Sequence, residues 1–154
     1  MKKLNLSVVC LFVTTLFISC SSDDDNGSVN NASVNEVVNL VNAGTWKITS
    51  FIEDGNDETN HFTGYNFSFS DNNILSATNG STTYSGSWSV TNSNSSDDDN
   101  SGSDIDFNIG FASPPEFADL TDDWHIIDRT ANKLELIDVS GGNGGTDYLT
   151  FEKN

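Results

Sequence analysis

Gly44-Thr45-Trp46-Lys47-Ile48-Thr49-Ser50-Phe51 is where the hydropathy pattern of the chain changes period. Trp46 and Ile48 fall on one face of an extended segment and Lys47 and Thr49 on the other, the period of two that marks a half-buried strand. Phe51 breaks the alternation, which predicts a β-bulge. The chain ends in Leu149-Thr150-Phe151-Glu152-Lys153, a second alternating segment suited to pair with this first one.

Downstream of Phe51 the same period recurs between turn residues. Glu53-Asp54-Gly55-Asn56-Asp57 has turn chemistry. Tyr65, Phe67 and Phe69 alternate with polar residues, Asp71-Asn72-Asn73 turns the chain into Ile74-Leu75-Ser76-Ala77, and Asn79-Gly80 is a hairpin signal. Tyr84, Gly86, Trp88 and Val90 share a face; so do Ile105, Phe107, Ile109 and Phe111 beyond the polar segment 91–103. Pro114-Pro115 stops that strand before one helical turn over 116–120. Strands follow at Trp124–Arg129, Leu134–Val139 and Tyr148–Lys153, the last two joined by a glycine-rich loop at 141–145. Eight short strands without helical crossovers make an antiparallel sheet. Closing it removes its exposed edges. The expected fold is therefore all-β: an eight-stranded antiparallel up-and-down barrel behind a short N-terminal helix.

Upstream, Ser33-Val34-Asn35-Glu36 is a capping-box pattern, and Val34, Val37, Val38 and Val41 recur at helical spacing up to Gly44. So short an amphipathic helix must pack against something, and an open barrel end is the nearest surface. Residues 1–19 have the form of a secretory signal: Lys2 and Lys3, then an apolar run from Leu4 to Ile18 too short to span a bilayer. Phe17-Ile18-Ser19-Cys20 resembles a bacterial lipobox, which implies cleavage before Cys20 and acylation of its thiol. Two or three acyl chains hold a protein to a bilayer where one does so only marginally. With Cys10 removed in the signal, Cys20 is the single cysteine of the mature chain, so no intrachain disulfide is available. Ser21-Ser22-Asp23-Asp24-Asp25 resembles the acidic export signal of surface lipoproteins of Bacteroidota. The expected organisation is a signal peptide at 1–19, the lipidated Cys20 and a disordered acidic tether to residue 33, and one barrel domain from 34 to 154. The localisation expected is the outer membrane, facing outwards.

The formal charge is −17, which excludes nucleic-acid binding through phosphate contacts, since these need clustered Lys and Arg. The acid also favours solubility.

Gly44-Thr45-Trp46 after a short helix resembles the first lipocalin motif. With Phe67-Ser68-Phe69, Gly86-Ser87-Trp88, Asn132-Lys133-Leu134-Glu135-Leu136 and the Leu149–Lys153 ending, the chain from Gly44 onwards is similar to the lipocalin-like lipoproteins of Bacteroidota. The resemblance implies a barrel whose closing Trp46, beside Gly44, is covered by a cation. Lys153 by order and Arg129 by residue type are the two candidates. Thr146-Asp147-Tyr148 spells the second lipocalin motif, but at the last strand, where that motif does not belong, and it is read as coincidence.

An eight-stranded barrel is either filled by side chains or wide enough for one small ligand. Trp46, Ile48, Tyr65, Phe67, Phe69, Trp88, Val90, Ile105, Phe107, Ile109, Trp124, Ile126, Leu134, Leu136, Leu149 and Phe151 form the expected inward set. Two functions follow. One is a non-catalytic, membrane-anchored binding module for a small apolar ligand, met at the open end by Tyr65, Trp88 or Trp124. The other is a filled barrel whose loops and outer surface contact a protein or a glycan. Asp97-Asp98-Asp99-Asn100-Ser101-Gly102 has oxygen donors at alternate positions like the start of a calcium loop, but Asn108 stands where the closing bidentate Glu belongs, so a solvated loop is expected. His61 and His125 lack metal-ligand spacing, and no Gly-x-Ser-x-Gly elbow is present. Neither an enzyme activity nor a metal or other cofactor is expected.

Overall fold

The computed structural model describes residues 26–92, 105–140 and 145–154, with side chains from Ser33 onwards. The opening alternation folds as β1 (Trp46–Glu53), and its two-residue hairpin partner β2 (Asn56–Asp57) extends it past an Asp54-Gly55 turn with both residues at positive φ. Then come a 3-10 turn at Thr59–Phe62 and strands β3 (Asn66–Phe69), β4 (Ile74–Thr78), β5 (Thr83–Asn92) and β6 (Ile105–Gly110). The short helix α2 (Pro115–Ala118) leads into β7 (Asp122–Thr130), β8 (Lys133–Val139) and β9 (Thr146–Lys153).

Every strand from β3 to β8 pairs antiparallel with its successor in sequence, and β1 pairs with both β3 and β9. The sheet is thus a closed eight-stranded up-and-down barrel. Its seam runs from Trp46 opposite Lys153 to Ile52 opposite Tyr148, while the β1–β3 junction is a single pair, Trp46 with Phe67. The register on β9 advances one residue while β1 advances from Ile48 to Ser50, so Thr49 is the bulge residue that turns Phe51 inward. A second bulge at Ile127 in β7 leaves that side chain exposed between inward Ile126 and the resumed ladder at Asp128.

The antiparallel registers sort the connections into two ends. At one lie the α1–β1 junction, the β3–β4 and β7–β8 turns and the C-terminus. At the other lie β2, the 3-10 turn, the β4–β5 hairpin, α2 and the β8–β9 loop. We call these the helix end and the far end.

Helix α1 (Asn26–Asn42) covers the helix end. Val37 and Val41 are fully buried, Glu36 pairs with Arg129 across one rim at 2.9 Å, and Asn42 donates to the Asp71 carboxylate across the other. The helix begins at Asn26, seven residues before the capping box, so the expected unstructured tether is helical from Asn26 to Ala32. Helix propagation explains the difference: once Val37 and Val41 hold the packed turns, each further residue adds a backbone hydrogen bond without a new nucleus. Residues 1–25, with the signal segment and Cys20, and the candidate calcium loop 97–102 lie outside the described residues.

The lumen is packed from wall to wall. Phe51 of β1 meets Trp124 of β7 at 6.3 Å between ring centroids, and Phe69 of β3 meets Phe107 of β6 at 5.5 Å. Phe151 stands edge-on to both Phe67 and Phe69. The inward set is buried as expected except for Tyr65 and Val90, which are half-buried near the two ends of the barrel. The side-chain gap at Gly86 is filled by Phe111: a Cβ there would stand 2.8 Å from the Phe111 ring and overlap the Gly110 carbonyl oxygen.

Candidate functional site

Each of the three tryptophans ties a strand to a closing segment. Trp46 Nε1 donates to the Val41 carbonyl of α1 at 2.9 Å, Trp88 Nε1 to the Ser70 carbonyl of the β3–β4 turn at 3.0 Å, and Trp124 Nε1 to the Leu120 carbonyl after α2 at 3.0 Å. A buried indole N–H needs such an acceptor. Lys153 Nζ lies 5.0 Å above the Trp46 ring, whereas Arg129 is engaged with Glu36. Gly44 takes φ +134°, a backbone conformation open to glycine, where the chain turns from α1 into β1.

The expected open-end trio does not converge. Trp88 belongs to the helix-end half of the barrel and is 4 % exposed; Trp124 is 1 % exposed and enclosed by Phe51 and the α2 segment. Only Tyr65 borders solvent at the far end. The reason is the plug that closes this end. Phe62 of the 3-10 turn and Phe117 of α2 are 1 % and 2 % exposed, and their rings meet at 5.2 Å over Phe67. Thr59 Oγ1 accepts from the Phe51 backbone N–H, and Thr121 Oγ1 accepts from that of Phe111, so a threonine pins one plug segment to β1 and the other to the residue that follows β6.

Outside this plug lies an open cleft of about 220 Å³, lined by His61, Tyr65, Tyr84, Pro114, Glu116 and Phe117. Tyr65 stacks on Tyr84 with centroids 5.9 Å apart, and Phe117 stands 5.0 Å from Tyr65 and 4.8 Å from Tyr84. Burial, its hydrogen bond with Tyr84 and the negative charge of Glu116 raise the pKa of the Tyr65 phenol. His61 Nδ1 lies 3.5 Å from Glu58, and His125, on the outer wall, lies 3.2 Å from Asp106. Tyr84 and Phe117 carried no functional expectation in the sequence. Phe117 and Leu120, two large apolar residues just behind the Pro114-Pro115 stop, were the available signal for a plug.

The basic residues are segregated along the barrel axis, whereas acids occur at both ends, among them Glu36, Asp71 and Glu152 at the helix end. The described lysines and arginine, Lys47, Arg129, Lys133 and Lys153, all stand towards the helix end. The far end carries Glu53, Asp54, Asp57 and Glu58 around β2, Glu116, Asp119, Asp122 and Asp123 around α2, and Asp138 and Asp147 on β8 and β9. Burial raises the Glu53 carboxyl pKa, and Asp119, Asp147, Asp54 and Glu58 raise it further. Asp122 is pushed up to about 6, mainly by burial, with Asp138 and Asp123 adding negative charge. Oxygens of Asp122, Asp123 and Asp138 lie within 4.8 Å of one another, and Ser140 Oγ donates to Asp138 at 2.9 Å.

No family model matches the chain, and no curated protein does so. Among solved structures it is similar to a DUF4847 family protein from Bacteroides vulgatus ATCC 8482, with 19 % identity over 77 % of this chain and 97 % of that one and a TM-score of 0.45. That likeness assigns the chain neither a family nor an activity. Among the described residues, no helix is long and apolar enough to cross a membrane.

Proposed function

We propose that this chain is a non-catalytic binding module: a filled barrel, held at the outer membrane through acyl chains on Cys20, that meets its partner with the outer surface of its far end. The observation that carries the reading is the occupied lumen, with aromatic rings in contact across it and both ends closed by buried side chains. A carrier of an apolar ligand needs an internal cavity of some hundreds of Å³; here Trp, Phe and Leu side chains take up that space. Helix α1, which leads back towards Cys20, covers the opposite end, so an anchored molecule presents the far end away from the bilayer.

The test has two arms. Mature protein titrated with fatty acids, retinoids and haem should show no saturable change in Trp fluorescence; saturable quenching would restore the internal carrier. In cells, Cys20→Ser should move the protein out of the membrane fraction and abolish acyl labelling, and protease added to intact cells should digest the wild-type chain. An unlabelled wild-type Cys20 would remove the anchor from the reading.

A further inference from the structure

We propose that the far-end cleft binds a small organic cation, specifically an alkylated ammonium group. This deepens the surface-module reading and rests on it. Tyr65, Tyr84 and Phe117 gather three rings at one cleft, and Glu116 supplies the adjacent carboxylate. The remaining polar lining, His61, is itself beside the Glu58 carboxylate. No lysine or arginine lines the cleft; those described stand towards the opposite end of the barrel.

Charge complementarity selects the occupant. Aromatic quadrupoles attract cations, and quaternary ammonium ligands are held by grouped rings in this way. The acids around β2 and α2 add a field of the same sense, which steers a cation in and repels carboxylates and phosphates. A hard metal ion would require six or more oxygen ligands, and the cleft offers one carboxylate among rings. A bare primary ammonium is strongly hydrated and gives up its water reluctantly. An alkylated head carries its charge on an apolar surface, matching the ring carbon of Tyr65, Tyr84 and Phe117 beside the Glu116 carboxylate. A volume of about 220 Å³ suits a single such head group.

The experiment is an NMR titration of the mature chain with choline, followed through the ring resonances of Tyr65, Tyr84 and Phe117. Saturable shifts confined to these rings are expected, with a dissociation constant in the millimolar range, about 4 kcal/mol of binding at 1 mM. The uncharged isostere 3,3-dimethylbutan-1-ol should bind roughly tenfold more weakly, as befits a cation attracted to the two partly exposed rings of Tyr65 and Tyr84. Glu116→Gln, at an exposed position, should weaken choline by up to about fivefold, and Tyr84→Leu should abolish most of the shift. Absence of ring shifts up to about 100 mM, equal binding of the isostere, or ring shifts with methyl glucoside but not with choline would each overturn the proposal. If an apolar probe instead shifts the luminal rings of Phe69 and Trp124, the filled-barrel reading fails; silence at the cleft with an unperturbed lumen overturns the cation site alone.

Discussion

Phe67→Ala tests the filled lumen directly. Phe67 is fully buried on β3, with ring centroids of Phe151, Phe117 and Phe62 at 5.5, 6.1 and 6.4 Å. Truncating a buried phenylalanine costs about 3–5 kcal/mol, the larger values where the surroundings do not collapse into the void. Collapse is restricted here. Phe62 is held by Phe51 at 5.6 Å and Phe117 at 5.2 Å, and Phe151 by Phe69 at 5.7 Å. The expected loss is therefore about 4–5 kcal/mol, a fall in Tm of roughly 15 °C for a domain of this size. Urea unfolding followed by Trp fluorescence and by far-UV circular dichroism measures it, coincident transitions securing two-state treatment. Should the alanine variant not fold, Phe67→Leu leaves a smaller void and is expected to lose less stability, with the same gain on adding benzene, absent from the wild type. The void in Phe67→Ala would be dry and ring-lined, so benzene should raise the stability of the variant and leave the wild type unchanged. A loss under about 1 kcal/mol, or benzene binding to the wild type, would show slack in the lumen and refute the reasoning.

Three further outcomes are expected. Asp122 has a folded-state pKa of about 6, above the ordinary 3.8, so the native state binds more protons and stability falls as pH rises from about 4 through 6; Asp122→Asn should remove that slope and, after discounting for solvent screening of a partly exposed group, raise stability at pH 7.5 by about 1 kcal/mol in thermal melts, with no gain near pH 3.5. Gly86→Ala should cost about 1–3 kcal/mol in urea midpoints, because the new Cβ overlaps the Gly110 carbonyl, a backbone atom that cannot rotate aside. Lys153→Met should cost about 0.5–1 kcal/mol in thermal melts through the lost cation–π contact with Trp46, more than Glu36→Gln, which opens an exposed ion pair.

The barrel was legible because its strands carry their burial in alternation. Even the seam was readable: the first and last alternating segments pair, and the misplaced Phe51 marks the bulge at Thr49. Alternation assigns a side chain to the inside, however, and says nothing of its height along the barrel axis. That height depends on strand tilt and stagger. Hence Trp88 and Trp124 were correctly turned inward, but the alternation did not show that Trp88 sits towards the helix end, bonded to the Ser70 carbonyl, while Trp124 is bonded to the Leu120 carbonyl behind the plug. Phe62 and Phe117 escaped notice because each is an aromatic residue in a short turn, without a period to announce it. The cleft escaped for a related reason. Its rings come from the segment before β3, from β5 and from α2, and only the closed fold brings these three together.

Filling and closure in this barrel are one device, and this limits where function can reside. The indoles that occupy the lumen also hold the lids, Trp46 through the Val41 carbonyl of α1 and Trp124 through the Leu120 carbonyl behind α2. To admit a ligand, the far end would have to lift Phe117 and Phe62 out of their ring contacts, and the strain on the α2 segment would break the Trp124 bond as well. Burying one such aromatic side chain contributes about 1.5–3 kcal/mol, and leaving a buried N–H without its acceptor costs about 1–3 kcal/mol more. Opening therefore approaches the 5–15 kcal/mol that holds a whole domain folded. A molecule so built gains little by moving its interior. Its far-end rim is different: Tyr65, Tyr84 and Glu116 remain accessible without any displacement of the core, already positioned by the plug that seals the lumen.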